Sequence, residues 1–223
     1  MKKILTLLLA LCLVFGMVSC APTSMSHEDF MAAADGDEVT IEAYVQAKQG
    51  WWNNQAVVYL QTSKGGFFVY SLPCTEAEYA ELVAGTKVRV TGTKAIYNGM
   101  HEINPASSFE IVVGDTYVAT AIDVTNKLGN ETELTKYQGM LVKFTDMTVT
   151  GITYKNGEPG DDIYVALEKD GAEYSFTVEV YLTGTDTAVY TDVGALEVGD
   201  VIDVEGYMQW WNALDLHIIK VTK

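Results

Sequence analysis

Basic residues are scarce in this chain of 223 residues, which has 14 lysines and arginines against 30 aspartates and glutamates. The formal net charge at pH 7 is therefore −16. Proteins that bind nucleic acids need lysine and arginine, because released counterions supply most of the affinity. Only Lys87, Arg89 and Lys94 lie close together, and we expect them to form a solvated strand edge. The charge balance therefore makes nucleic acid a less favoured partner.

Motifs of known catalytic sites are also absent. The three histidines, His27, His101 and His217, lie far apart in the sequence. There is no glycine-rich phosphate loop, no H-E-x-x-H and no G-x-S-x-G. Acidic turns at 35–37 and 156–162 do not match an EF-hand loop, and we interpret them as solvated turns. We therefore expect no enzyme activity, no cofactor and no metal ion.

The apolar run near the N-terminus is too short to cross a membrane. Two lysines precede the run, which extends over residues 4–15, whereas a bilayer needs about 20 apolar residues. A basic segment, a short apolar segment and small residues at the end are typical of a secretory signal. The pattern predicts such a signal over residues 1–19.

The end of this signal resembles a bacterial lipobox. Ser19 precedes Cys20, and Met17 stands where leucine is usual. The resemblance implies cleavage before Cys20 and attachment of lipid, including palmitate, to that cysteine. It also implies a tether over 20–27, membrane association through the lipid, and an extracytoplasmic location. The alternative is an ordinary secretory signal with an incidental cysteine.

The remaining cysteines cannot form an internal disulfide. Cys12 leaves with the signal and Cys20 is the expected lipid site, so Cys74 is alone in the mature chain. We expect Cys74 to be a small buried apolar group and not a reactive thiol. The stability of the protein must then come from its apolar cores.

One sequence pattern occurs twice, over residues 85–98 and 199–212. The aligned pairs are Gly85/Gly199, Val88/Ile202, Val90/Val204 and Gly92/Gly206. Each copy ends with an aromatic residue followed by asparagine. Alternation of apolar and polar residues between glycines is a strand signal. Its recurrence predicts two copies of one domain, with the four aligned valine and isoleucine side chains in the two cores.

Each copy lies within a longer series of predicted elements. Between 39 and 112 the order is three strands, a helix that begins with a capping box at Thr75, and two more strands. This is the element order of an OB-fold, a five-stranded Greek-key barrel with a helix between strands three and four. Residues 140–221 repeat the order with a weaker helix signal.

We therefore predict an all-β protein of two tandem five-stranded OB-fold barrels with short helices. The barrels are expected at 28–115 and 116–223, with a helix near 123–128 in the connecting segment. No proline-rich or serine-rich linker separates the two halves, so we expect the barrels to pack together.

The chain resembles the tandem OB-fold extracytoplasmic lipoproteins of Firmicutes. The resemblance rests on the strand over 39–45, the helix over 75–83 and the block G-T-K-V-R-V-T-G over 85–92. It implies two barrels on a lipid anchor and carries no catalytic residue that can be transferred.

Aromatic residues paired with asparagine occupy the loops that flank the ligand face of an OB-fold. That face is formed by strands two and three, between the loops that join strands one to two and four to five. The candidate ligand-binding residues are Trp51, Trp52, Asn53, Asn54, Tyr97 and Asn98 in the first barrel and Trp210, Trp211 and Asn212 in the second. Tyr59 and Tyr70 lie on the strands between these loops, on faces that the sequence does not fix.

These residue types suit a carbohydrate. Aromatic rings stack on the apolar faces of sugar rings, and amides hydrogen-bond to hydroxyl groups. In each tryptophan pair we expect one ring to anchor the loop and the other to face the ligand. The main hypothesis is a cell-surface protein that binds an extracellular carbohydrate or a protein partner. The alternatives are binding of single-stranded nucleic acid, or a structural spacer whose rings fill the contact between the barrels.

Overall fold

A computed structural model describes residues 23–223 of the chain. The predicted signal and Cys20 lie outside the described residues. Within residues 23–223, no helix is both long enough and apolar enough to cross a membrane.

The first barrel contains five strands and two helices. The strands are β1 (Glu38–Lys48), β2 (Gln55–Thr62), β3 (Gly65–Pro73), β4 (Lys87–Tyr97) and β5 (Met100–Ile111), with helices α1 (His27–Ala32) and α2 (Glu76–Glu81). The strands close in the order β1-β2-β3-β5-β4, in which only the β3–β5 pair is parallel. Helix α2 lies between the third and fourth strands, as an OB-fold requires.

The second barrel repeats this arrangement. Its strands are β7 (Leu141–Tyr154), β8 (Ile163–Lys169), β9 (Ala172–Val178), β10 (Val201–Trp210) and β11 (Leu214–Thr222). Strand β7 pairs with both β8 and β10, which closes the barrel. Helices α4 (Val180–Thr183) and α5 (Ala188–Gly194) lie between β9 and β10. The prediction of two tandem five-stranded OB-fold barrels is confirmed.

The segment between the barrels differs from the prediction of a helix near 123–128. It contains the short strand β6 (Ile122–Asp123), which pairs in parallel with β7, and a 3₁₀ turn at Thr125–Lys127. The backbone N–H and side-chain hydroxyl of Thr125 both donate to Asp123 Oδ1, at 3.0 and 2.7 Å. Such a local side-chain bond competes with helix formation. The α-helix of this segment, α3 (Glu131–Leu134), comes later and is followed by a 3₁₀ turn at Thr135–Tyr137.

Reciprocal capping boxes begin the two helices of the first barrel. In α2, Thr75 and Glu78 each bond the backbone N–H of the other, as the sequence predicts. Ser26 and Asp29 do the same for α1. The last residues of the predicted tether also contact the barrel, because Met25 N–H donates to the Thr40 carbonyl at 2.8 Å.

Each barrel has its own apolar core. Val88 and Val90 belong to the first core, and Ile202 and Val204 belong to the second, all of them buried as predicted. Cys74 is buried in the first core, also as predicted. The alternation along β4 and β10 that the sequence shows is therefore the alternation between core and outer face.

The basic cluster on β4 is not the solvated edge that the sequence predicts. Lys87 and Arg89 both form ion pairs with Glu42. Lys94 is fully buried, with its Nζ 3.8 Å from the centre of the Phe30 ring and without a hydrogen-bond partner in the described chain. The cause is register: Lys94 follows Val88, Val90 and Gly92 on the inward-facing positions of β4.

A third apolar cluster joins the two barrels, and we call it the seam. It contains Val57, Tyr59, Phe68 and Met100 from the first barrel and Leu141 and Tyr207 from the second. The rings of Tyr59 and Tyr207 lie 4.8 Å apart between centroids. The barrels therefore pack together, as predicted.

Buried glutamines fix the backbone on either side of the seam. Gln61 in β2 accepts from the Leu141 N–H at 2.7 Å. Gln138 accepts from the His101 N–H and donates to the Gly99 carbonyl, at 2.9 and 3.0 Å. Because buried backbone groups are costly to leave unpaired, these side chains fix the relative position of the barrels.

Candidate ligand cleft

The loop between β1 and β2 holds one tryptophan inside and one outside. The Trp51 Nε1–H donates to the Cys74 carbonyl at 2.9 Å, and its ring packs on the first core. Trp52 is 52% exposed. Asn53 and Asn54 have φ values of 49° and 59°, so they form the turn between the ends of this hairpin. Trp51 therefore anchors the loop in the barrel, as predicted for one ring of the pair, and Trp52 is the exposed ring.

The β4–β5 and β10–β11 hairpins of the two barrels meet. The Asn212 N–H donates to the Asn98 carbonyl at 2.7 Å. The rings of Tyr97 and Trp211 lie 5.3 Å apart in an edge-to-face arrangement. Trp210 is half-buried and Trp211 is 60% exposed. The sequence analysis assigns the two hairpins to two separate ligand sites, whereas in the structure they lie together at one candidate site.

The place where they meet is the mouth of a cleft of about 1160 Å³ between the barrels. One wall is the outer face of β8 and β9, represented by Tyr164, Ser175 and Thr177. This is the strand two–strand three face of the second barrel, where OB-folds bind ligands. The opposite wall comes from β3 and β5 of the first barrel and includes Tyr70 and Met100. The residues Trp51, Trp52, Asn53 and Asn54 of the β1–β2 loop do not line the cleft, in contrast to the prediction, whereas Gln49 at the start of that loop does.

The corresponding face of the first barrel is covered. Tyr59 and Phe68 point away from the first core and are buried in the seam against the second barrel. Only Tyr70, at the edge of this face, is 47% exposed, and it lines the cleft. The two barrels therefore present one open OB ligand face and not two.

Aromatic rings dominate the cleft lining. They are Phe68, Tyr70, Tyr97, Tyr164, Tyr174, Tyr181, Trp210 and Trp211. Of these, the sequence analysis places only Tyr97, Trp210 and Trp211 at the site. The exposed face of β8 carries the signal that could have found Tyr164, because Ile163, Val165 and Leu167 alternate with it and belong to the core.

Carboxyl groups are the second feature of the lining. They belong to Glu102, Glu131, Asp162, Glu173, Glu179 and Asp215. Lys155 is the only lysine or arginine that lines the cleft within residues 23–223. Its Nζ lies 2.9 Å from Asp162 Oδ2 and 3.5 Å from Asp161 Oδ1, and these contacts raise its pKa. Carboxyl groups therefore outnumber lysine and arginine side chains in the lining by six to one.

Burial perturbs two of these carboxyl groups. It raises the pKa of Glu179 to about 7, although the Tyr181 N–H donates to Oε1 at 3.1 Å. It also raises the pKa of Asp215 to about 6, against hydrogen bonds from Leu216 N–H and the Thr177 hydroxyl. Each group is thus poised to gain or lose its proton near neutral pH.

A chain of hydrogen bonds crosses from one barrel to the other at the base of the cleft. Gln49 Nε2 donates to Glu179 Oε2 and to the Tyr59 hydroxyl oxygen, the latter at 3.0 Å. The Tyr59 hydroxyl in turn lies 2.7 Å from His217 Nδ1. Burial lowers the pKa of His217 to about 4, so this imidazole is neutral at pH 7 and its tautomer decides which of the two groups donates.

One buried side-chain nitrogen in the lining has no hydrogen-bond partner within the described residues. Gln209 is 5% exposed, and its Nε2 makes no hydrogen bond within the described residues. A buried unpaired amide is costly, on the order of 1–3 kcal/mol. Such a donor is therefore expected to bind an acceptor when the cleft is occupied.

Comparisons with known proteins give no family. No family model matches the chain, and no curated protein matches it. The resemblance to lipoproteins of Firmicutes therefore stays a prediction.

Solved structures align with this chain at low similarity. They include the HINa domain of Ifi202 in complex with a 20-bp double-stranded DNA, with TM-score 0.38 and 10% identity over 86% of this chain and 98% of that one. A murine DNA-binding protein bound to double-stranded DNA has TM-score 0.35 and 16% identity over 84% and 99%. A replication protein A heterotrimer bound to single-stranded DNA has TM-score 0.31 and 15% identity over 81% of this chain and 47% of that one. At such scores the likeness carries no argument about what this chain binds, and the fold rests on the strand topology described above.

Proposed function

We propose that this chain is a non-enzymatic, lipid-anchored extracytoplasmic protein that binds a carbohydrate in the cleft between its barrels. The supporting observation is that the open OB face of the second barrel is lined by aromatic rings and hydrogen-bonding side chains. Aromatic rings provide flat apolar surfaces for the faces of sugar rings. Carboxylates, hydroxyl groups and the Gln209 amide can bond the hydroxyl groups at the edges of those rings.

The second candidate is single-stranded nucleic acid. Bases also stack on aromatic rings, and OB-folds use this same face for oligonucleotides. In this chain, however, the carboxylates of the cleft would repel phosphates, and Lys155 is already paired. Charge therefore favours the carbohydrate.

A glycan array followed by calorimetric titration tests the proposal. We expect Trp211→Ala to weaken binding of the best glycan by about 1–3 kcal/mol, or roughly 5- to 150-fold, by analogy with stacking on bases. The matched control is Trp52→Ala, because Trp52 is similarly exposed and lies outside the cleft. It should leave the affinity unchanged.

The same titrations at low and high salt separate the candidates. Carbohydrate binding should depend weakly on salt, because few charges are neutralised. Binding of a single-stranded oligonucleotide that falls steeply with salt, together with no glycan binding, would favour the nucleic-acid candidate. A chain that binds neither would be the structural spacer considered above.

The anchor has its own test. Mass spectrometry of the mature protein isolated from membranes should show a lipid on Cys20, and Cys20→Ser should release the protein from the membrane. An unmodified Cys20 in the mature protein would show that the anchor is wrong. The carbohydrate proposal does not depend on this result.

A further inference from the structure

We infer that the carbohydrate bound in the cleft carries a free amino group, so that the preferred ligand is an amino sugar and not a neutral or N-acetylated one. This inference rests on the proposed function and specifies its ligand. It follows from three properties of the lining: carboxylates without a cation, aromatic rings beside them, and one unpaired donor.

Five of the six carboxyl groups that line the cleft form no ion pair within the described residues. Asp162 is paired with Lys155. Glu173, Glu179 and Asp215 form no ion pair within residues 23–223, since their bonded partners are neutral groups where they have any. Gathering unpaired carboxylates in a partly buried cleft is unfavourable. A ligand ammonium group would offset this repulsion and make charge-assisted hydrogen bonds.

One aromatic residue lies close to one of these carboxylates in the chain. Tyr181 comes two residues after Glu179, with its N–H bonded to that carboxylate. Both side chains line the cleft. A cation held between a carboxylate and the face of an aromatic ring gains from both, and the gain is larger in a desolvated site. The lining therefore favours an organic ammonium group over a neutral amide.

Gln209 argues for a ligand that also carries hydroxyl groups. Its buried Nε2 needs an acceptor. An aliphatic polyamine offers cations but no oxygen, so it would leave this donor unpaired at the cost of a lost buried hydrogen bond. An amino sugar provides the ring face, the hydroxyl oxygen and the ammonium group together.

The experiment compares two probes that differ only in the acetyl group. The probes are a hexamer of N-acetylglucosamine and its fully deacetylated counterpart, titrated at pH 7 and low salt. We expect the deacetylated hexamer to bind at least about tenfold more tightly, since a hydrogen bond to a charged group contributes roughly 1.5–3 kcal/mol. Glu179→Gln should remove most of this preference.

The control variant is Glu81→Gln, which removes one carboxylate from the exposed surface of α2, outside the cleft. It should keep the full preference, which excludes an effect of net charge alone. If Glu179→Gln lowers the melting temperature, Asp215→Asn replaces it, because Asp215 lines the same cleft.

The outcomes are distinct. Equal affinity for the two hexamers would overturn the amino-sugar inference and leave the proposed function intact. A preference that persists in both Glu179→Gln and Asp215→Asn would also overturn it. Tighter binding of a lysine-rich peptide than of the deacetylated hexamer would identify a basic peptide as the ligand class. If no saccharide of any kind binds, the proposed function itself fails.

Discussion

At the scale of single residues, Lys94 has an unfavourable environment for a charged side chain. Its ammonium group is buried over the Phe30 ring and has no hydrogen-bond partner in the described structure. Burial lowers the pKa of Lys94 from 10.5 to about 7, although Glu102 and Asp35 act in the opposite direction. At neutral pH and below, burial of the charged ammonium group therefore lowers the stability of the folded protein.

We predict that Lys94→Met stabilises the protein at pH 7. Replacing buried charges by apolar side chains of similar volume typically gains about 1–4 kcal/mol. Between pH 7 and 10.5 the unfolded chain binds a proton at this lysine that the folded chain does not, so the wild-type free energy of unfolding rises with pH. The advantage of the variant should therefore shrink from pH 7 to pH 9.5.

Urea unfolding at pH 7 and pH 9.5 checks this. His27 and His101, which interact electrostatically with Lys94, stay neutral over this range because their pKa values are lowered. A variant less stable than wild type at pH 7, or an advantage independent of pH, would contradict the prediction.

At the scale of elements, the contact between the β4–β5 and β10–β11 hairpins completes the mouth of the cleft. Gly99 makes the contact possible. Its φ is +88°, and a Cβ there would lie 2.6 Å from Trp210 Cδ1. Position 99 therefore favours glycine for two reasons, because the turn after Asn98 needs a positive φ and because the indole ring leaves no room for a Cβ.

We predict that Gly99→Ala lowers both the stability and the glycan affinity. Backbone strain at positive φ costs on the order of 1–3 kcal/mol, and the clash displaces Trp210, which lines the cleft. Gly171→Ala is the control, because Gly171 has φ +81° in the β8–β9 hairpin and nothing within 4 Å of the added Cβ. Gly171→Ala should therefore introduce the backbone strain of a positive φ without a steric clash. Equal losses of stability and unchanged glycan binding in both variants would show that the contact with Trp210 has no role.

At the scale of the whole molecule, the seam decides which face is free to bind. Tyr59, Phe68 and Tyr207 fill the space between the barrels, and the hydrogen bonds from Gln49 through Tyr59 to His217 cross it. This packing covers the centre of the first barrel's ligand face. Residues of β3 and β5 then form one wall of the candidate cleft on the second barrel. Two OB-folds in tandem thus form one cleft rather than two independent ligand sites.

The sequence by itself determined the barrel strands and the two cores, but not the elements of the segment between the barrels. Alternation along β4 and β10 identified Val88, Val90, Ile202 and Val204 as inward-facing, because the side-chain period of a strand is fixed by local geometry. The capping box at Thr75 is likewise a local signal, since its partners are three residues apart. The same alternation should have placed Lys94 inside, but side-chain chemistry suggested the opposite.

Only the tertiary structure determined which residues come together in the candidate site. Local patterns indicate which residues share a face, but not which face of one barrel packs against the other. The Asn98–Asn212 hydrogen bond and the Tyr59–His217 contact join residues more than a hundred positions apart. Only the packing of the two barrels brings Tyr97 to Trp211 and covers Tyr59, and it leaves Trp52 outside the cleft. Glu179 is likewise bonded to Gln49 of the other barrel, a contact that no local pattern indicates.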